Sequence, residues 1–246
     1  MTTISQQNDT AVLTVLAIDG EKKIGTFIRR LNRFAAEVLL DGVPTMAYIP
    51  NTGRMSELLV PGYPVLLARR PHSIGHKSHY DLLMVQTEAG WVSIDSRVPN
   101  RLLRLALSQE NLGCPFASYK VIKHEATFED SRLDFLLAED ERRCYLEAKS
   151  VNLVRDGLAL FPDAPTTRGR RHLDSLCSAK SQGFEAALVF IIQREDAESF
   201  SPNDTSDPAF GISLRKAADA GVGIYAYRCR ITPENISVLG PVPILL

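Results

Sequence analysis

A chain of 246 residues, 45% hydrophobic and 23% charged with a formal charge of −1, has the composition of a globular protein with room for one large or two ordinary cores. The near-neutral balance excludes recruitment of nucleic acid by net charge alone, so any such surface must come from local clustering. No apolar run approaches the ~20 residues that cross a bilayer, and the start, MTTISQQNDT, lacks the basic and apolar parts of a signal peptide; no membrane partner is expected, and a cytoplasmic setting is.

The first ten residues are polar. From Ala11 to about Gln86 the signals are strands and turns. AVLTVLAI is closed by Asp19-Gly20, FAAEVLL by the hairpin dipeptide Asp41-Gly42, and TMAYIPNTG by Asn51-Thr52-Gly53. Pro61-Gly62 precedes YPVLLARR, and His79-Tyr80-Asp81 leads into LLMVQT. Short strands at this spacing predict a small β-barrel of the OB type over residues 1–87, with MSELL as a helical turn within it. Arg29, Arg30 and Arg33 cluster, as do Arg69, Arg70 and Lys77, with Phe27, Phe34 and Tyr48 nearby in sequence. Charge for phosphates and rings for bases are what a nucleic-acid groove needs. Core aromatics with ordinary surface arginines are the other reading. His72, His76 and His79 have ligand-like spacing, but they sit around Gly75 in a basic loop with no carboxylate before Asp81, which favours a loop over a metal site.

A second region, residues 88–246, follows. Pro99-Asn100 introduces a helix, RLLRLALSQENLG, stopped by Gly113. YKVIKHEATF reads as a strand, and NLVRDGLALF as a hairpin around Asp156-Gly157. A helix starting at Pro165 ends at Gly183, with a narrow apolar stripe of Leu173, Leu176 and Cys177. AALVFIIQ is a nearly continuous apolar run, as in a strand buried on both faces. A helix over residues 207–221 and the strands GIYAYRCRI and ISVLG complete the chain. The order helix–strand–strand–strand–helix–strand describes a mixed sheet: a meander, then a crossover helix to a further strand. Cys114, Cys144, Cys177 and Cys229 are far apart with no CxxC pair, so they read as free thiols rather than a zinc site.

The chemistry concentrates in residues 131–150, SRLDFLLAEDERRCYLEAKS, two strands joined by a charged turn. A period of two sends Asp134 to the face opposite Leu133, Phe135 and Leu137, and places Glu147 and Lys149 on one face. Facing side chains of adjacent strands lie ~5 Å apart, so Asp134, Glu147 and Lys149 can converge. Two carboxylates can share a hard cation such as Mg²⁺, with Mn²⁺ the other candidate. Such an ion polarises a phosphoryl oxygen and acidifies a bound water, while a lysine orients that water or stabilises developing charge. An acid-x-Lys triplet also occurs at Glu21-Lys22-Lys23, so a surface hairpin with a Glu–Lys pair stands as the competing reading.

This element order, with Asp on the second strand and Glu-x-Lys on the third, resembles the PD-(D/E)xK nuclease fold. The segments NRFAAEVLL, PNTGRMSELL, PG, PNRL, SRLDFLL, CYLEAKS, FPDAPTTRGRRHL, FSPN and DP, from Asn32 to Pro208, resemble more closely the sugar fermentation stimulation protein A family. The resemblance implies an α+β chain: an N-terminal OB-like barrel, a C-terminal nuclease-like mixed sheet flanked by helices, DNA binding, and a bacterial or archaeal cytoplasm. It makes Asp134 and Glu147 the metal carboxylates, Lys149 the catalytic lysine and Glu125 an accessory acid. Asp163, Arg168 and His172 fall in another motif of the family, read either as phosphate contacts or an extra ligand, or as a turn cap and ordinary helix residues. Ala148 stands where Val is usual, and Tyr48 where His is common.

The function expected is a Mg²⁺-dependent DNA phosphodiesterase. The alternatives are a non-catalytic, largely non-specific DNA-binding regulator of sugar metabolism genes, and an RNA- or nucleotide-processing hydrolase using the same site.

Overall fold

The computed structural model describes residues 12–70, 78–112 and 116–246; Lys77, His72, His76 and Cys114 lie outside the described residues. After strand β1 (Thr14–Ala17) come β2 (Lys22–Asn32), β3 (Ala35–Leu40), β4 (Val43–Tyr48), β5 (Pro64–Arg69) and β6 (Tyr80–Thr87). These last five pair in the order β4-β3-β2-β5-β6, and a short parallel pairing, Ala47↔Tyr80 and Tyr48↔Asp81, joins β4 to β6 and closes a five-stranded barrel. This is the connectivity of an OB barrel. The β3–β4 turn is built as the sequence predicts. Asp41 and Gly42 have φ of 51° and 79°, the left-handed pair that matches strand twist in a two-residue hairpin. Phe27, Val38, Ala47, Leu67 and Leu82 fill the barrel.

The division expected at residues 87/88 is corrected at both ends. β1 pairs antiparallel with the C-terminal strand of the chain, Thr14↔Val238 through Ala17↔Asn235, and belongs to the larger sheet. Its own Leu16 and the flanking Leu13 and Ile18 cover that sheet's core, a long-range choice that local alternation does not encode. In turn, β7 (Gly90–Ser93) pairs with β6 and extends the barrel sheet past residue 88.

Helix α1 (Val98–Ser108) opens the second unit, followed by β8 (Lys120–Phe128), β9 (Ser131–Glu139) and β10 (Arg142–Val151). The small strands β11 (Leu153–Arg155) and β12 (Leu158–Phe161) precede α2 (Thr167–Ser181) and β13 (Glu185–Ile192). Then come β14 (Ser199–Pro202), α3 (Pro208–Asp219), β15 (Gly223–Ile231) and β16 (Asn235–Pro241). The large sheet runs β1-β16-β15-β13-β10-β9-β8, with β13 parallel to both β10 and β15. β13 is buried along nearly its whole length because cores form on both faces, as its unbroken apolar run predicts. α1 packs on one face through Leu102, Leu103 and Ala106. α2 and α3 cover the other through Leu173, Leu176, Phe210 and Leu214. Among the described residues no helix is long and apolar enough to cross a membrane.

The two units are stitched together by polar contacts. Arg97 bonds to Asp95 at 2.8 Å and to Asp81 at 2.9 Å, and Ser96 Oγ donates to the Pro50 carbonyl at 2.7 Å. Ser93 N–H donates to the Gln193 carbonyl, tying β7 to the end of β13.

Candidate active site

The β9–β10 ladder ends at Leu146↔Phe135. One residue further, the side chain of Asp134 takes over from the backbone: Ala148 N–H donates to Asp134 Oδ2 at 2.8 Å. Asn100 of α1 donates its Nδ2 to Oδ1 at 2.7 Å. Both oxygens are therefore anchored, and each keeps lone-pair capacity. Burial, reinforced by the negative charge of Glu147, pushes the Asp134 carboxyl above its usual range.

Glu147 lies across from it on β10 and is 3% exposed. Its Oε1 accepts from Lys149 Nζ at 2.5 Å and also meets His172 Nδ1. Burial works to raise its carboxyl, but the Lys149 charge and the His172 bond outweigh it, so the group is held below the usual range. The carboxylates are thus driven in opposite directions, the pattern of a site in which two like groups have different tasks.

His172 is oriented in turn. Arg168, one turn earlier on α2, points Nε at His172 Nε2 at 3.3 Å. Since arginine is a donor only, Nε2 accepts, and the ring proton sits on Nδ1 facing Glu147. The relay Arg168–His172–Glu147 leaves Glu147 Oε2 as a buried oxygen with no hydrogen-bond partner among the described residues. An unpartnered buried carboxylate oxygen costs free energy unless something cationic meets it. Among the described residues no three His, Cys, Asp or Glu side chains group to hold a metal ion. The donors available are two carboxylates, a set that fits a hard ion completing its shell with water and phosphate.

The remaining expected site residues are not drawn into this cluster. Glu125 is exposed on β8, with its carboxylate 3.6 Å from Arg132. Asp163 faces the barrel: it accepts from Arg54 N–H at 2.8 Å and Met55 N–H at 3.4 Å, acting as a clasp between the two units. Of the expected DNA-binding residues, Arg29 pairs with Glu37 at 2.8 Å and Arg69 with Glu21 at 3.1 Å. Arg70 Nε lies 3.1 Å from Asp81 Oδ1, an ion pair without hydrogen-bond alignment, and its guanidinium is 4.9 Å from the centre of the Tyr48 ring. Arg30 is a local staple, donating to the carbonyls of Gly53 at 2.7 Å, Arg54 at 2.9 Å and Arg33 at 2.8 Å. Arg33 is exposed and lines a cleft of about 480 Å³ between the barrel loop around Arg54, Ser150 of β10 with Asn152 just past that strand's end, and Thr166, the N-cap of α2. That cleft begins one residue beyond Lys149.

Sequence reasoning did not assign Asn100 a role, although it lies in the PNRL segment. It also underused His172, whose signal was present: Gly169, His172, Leu173, Leu176 and Ala179 form the buried stripe of α2 at helical spacing.

Known proteins share this architecture. The family model described as "Sugar fermentation stimulation protein RE domain" matches residues 97–235, and "SfsA N-terminal OB domain" matches residues 28–94. A sugar fermentation stimulation protein homolog of Moorella thermoacetica is 48% identical over 222 residues, covering 90% of this chain and 95% of that protein. One from Caldanaerobacter subterraneus subsp. tengcongensis is 43% identical, with 90% of this chain and 96% of that protein covered. The solved structure of Pyrococcus furiosus SfsA in complex with Ca²⁺ superposes with a TM-score of 0.87 at 28% identity, covering 96% of this chain and all of that one. Matched over both units and nearly end to end, the chain belongs to the sugar fermentation stimulation protein family.

Proposed function

We propose that the protein is a divalent-metal-dependent phosphodiesterase acting on DNA in the cytoplasm. The observation that carries this is Glu147: buried, gripped on Oε1 by Lys149 and His172, and open on Oε2 beside the anchored carboxylate of Asp134. Asp134 and Glu147 would hold Mg²⁺ or Mn²⁺. The P. furiosus relative was solved as a Ca²⁺ complex, which supports a site for a hard ion. When bound, such an ion polarises a phosphoryl oxygen and offsets charge on the phosphate.

The chain's own residues supply the rest. Asn100 and the Ala148 N–H fix the Asp134 carboxylate, and His172 with Arg168 fixes that of Glu147. Lys149 Nζ, held on Glu147 Oε1 two residues away on the same strand face, is the group that would orient the attacking water or stabilise charge on the phosphorane. The cleft between barrel and sheet delivers the strand, with Arg33 at its edge.

Titration calorimetry of Mg²⁺ into the wild type and Asp134→Ala, with DNA cleavage by the wild type and Lys149→Ala, tests the proposal. Metal binding that survives Asp134→Ala, or equal cleavage by wild type and Lys149→Ala, would sink the assignment.

A second reading, DNA binding without turnover, is favoured by one observation: the Lys149 ammonium is already neutralised at 2.5 Å by Glu147. It predicts salt-dependent DNA binding, with log K falling by about 0.9 per phosphate neutralised per decade of salt, and no product with any divalent ion.

A further inference from the structure

The turn between β2 and β3 carries Phe34 as a ring 47% exposed, beside Leu31 at 43%. A single exposed apolar side chain is ordinary, but a ring fixed in one pose offers a ligand a preorganised face at little entropic cost. Here it is rigid. Phe34 N–H bonds to Asn32 Oδ1 at 2.8 Å, Ile49 N–H bonds to the Phe34 carbonyl at 2.8 Å, and Arg30 grips the carbonyls of Asn32 and Arg33. The Phe34 ring lies parallel to Tyr48, within 9°, with centroids 6.3 Å apart, and the Arg70 guanidinium sits against Tyr48. Three planar groups thus neighbour one another, Phe34 and Tyr48 as an offset parallel pair, and the Phe34 ring is the one that opens to solvent. Among the described residues the guanidinium groups of Arg33 and Arg54, which line the adjoining hollow, have no ion-pair partner.

We propose that this turn is a base-stacking platform, and that the strand it selects is single-stranded nucleic acid. An unpaired base offers a flat π-face to continue the stack on Phe34, while a duplex keeps its bases stacked on one another and offers only phosphate to Arg33 and Arg54. Charge complementarity decides the occupant: an exposed ring flanked by unpaired cations suits a polyanion with aromatic faces better than an apolar protein surface. The inference deepens the phosphodiesterase reading by naming the form of substrate that enters the cleft, and it rests on the nucleic-acid part of that reading.

The test is fluorescence anisotropy in EDTA, with a labelled single-stranded DNA and its duplex of equal length, for the wild type, Phe34→Ala and Phe34→Trp. Losing one base–aromatic stack corresponds to a drop of about 5- to 150-fold. Phe34→Ala should weaken single-strand binding within that range and leave duplex binding within about twofold, while Phe34→Trp retains it. A 2-aminopurine probe should be quenched by the wild type and not by Phe34→Ala. Equal losses on both DNA forms, no loss on either, no nucleic-acid binding by the wild type, or a change in oligomeric state with binding intact would each overturn the proposal. Because the measurement needs no metal, the two readings fail separately. A Phe34 effect without cleavage by the wild type sinks only the phosphodiesterase; Lys149-dependent cleavage with a silent Phe34→Ala sinks only the platform.

Discussion

Lys149→Met removes one of the two groups that hold Glu147 charged inside the protein. Breaking a buried ion pair from one side costs about 3–5 kcal/mol, chiefly by stranding the remaining charge. His172 still meets Glu147 Oε1 in the variant, so the low end, about 3 kcal/mol, is expected at pH 7–8. In the wild type the Glu147 carboxyl is depressed, so its stabilising contribution is present above the carboxylate range and is lost as pH falls through its folded value. In Lys149→Met the burial that opposes ionisation is less balanced, the carboxyl rises, and the folded variant takes up a proton more readily. The stability gap between wild type and variant should therefore shrink as pH falls toward 4.5. Adding Glu147→Gln to Lys149→Met should restore much of the loss at neutral pH, since a neutral amide can still accept from His172. Urea unfolding followed through Trp91, the single tryptophan and half-buried against the larger core, measures each gap. A deficit constant from pH 8 to 4.5, or no recovery in the double variant, would refute this account of the pair.

Further outcomes follow from other contacts. The Asp134 carboxyl is pushed up, so protons compete with a cation there; Mg²⁺ or Ca²⁺ affinity by calorimetry should rise with pH through and above the ordinary aspartate range, and a flat profile would contradict it. Asp163→Ala removes two charge-assisted bonds to the barrel loop and should cost about 2 kcal/mol while speeding proteolysis between the units. Asp163→Asn should recover part of that. Gly53→Ala should mimic Asp163→Ala from the other side, since a Cβ there would stand 2.6 Å from Asp163 Oδ2. A chain beginning at Glu21 should lose hydrogen-exchange protection in β16 while the barrel strands keep theirs, because among the described residues β1 pairs with β16 and with no barrel strand. Burial pushes the Cys144 thiol up to about 12 and the Cys229 thiol higher still, so neither should react with a thiol reagent at pH 8 in the folded protein.

The elements themselves were legible along the chain. Asp41-Gly42 and Asp156-Gly157 are turns with paired left-handed residues because few other dipeptides tolerate that backbone, and AALVFIIQ is a central strand because only a doubly covered strand can bury so unbroken an apolar run. The pleat of β9 and β10 brought Asp134, Glu147 and Lys149 into reach of one another, since a period of two is a local property. Assembly was another matter. β1 reads as one more barrel strand, yet it completes the far edge of the other sheet, because a strand's partner is set by which exposed core its apolar side must cover. Arg30 reads as a contact for phosphate, and Asp163 as a phosphate contact, an extra ligand or a turn cap, and each is taken up by the protein's own backbone. His172 and Asn100 come to the carboxylates from two helices packed on opposite faces of the sheet. Residue type and spacing thus determined the strands, the turns and the acid–acid–lysine set. Which groups are satisfied within the protein, and which, like Glu147 Oε2 and the Phe34 ring, are left open, was decided only by long-range packing, because hydrogen-bond satisfaction and burial depend on neighbours distant in the chain.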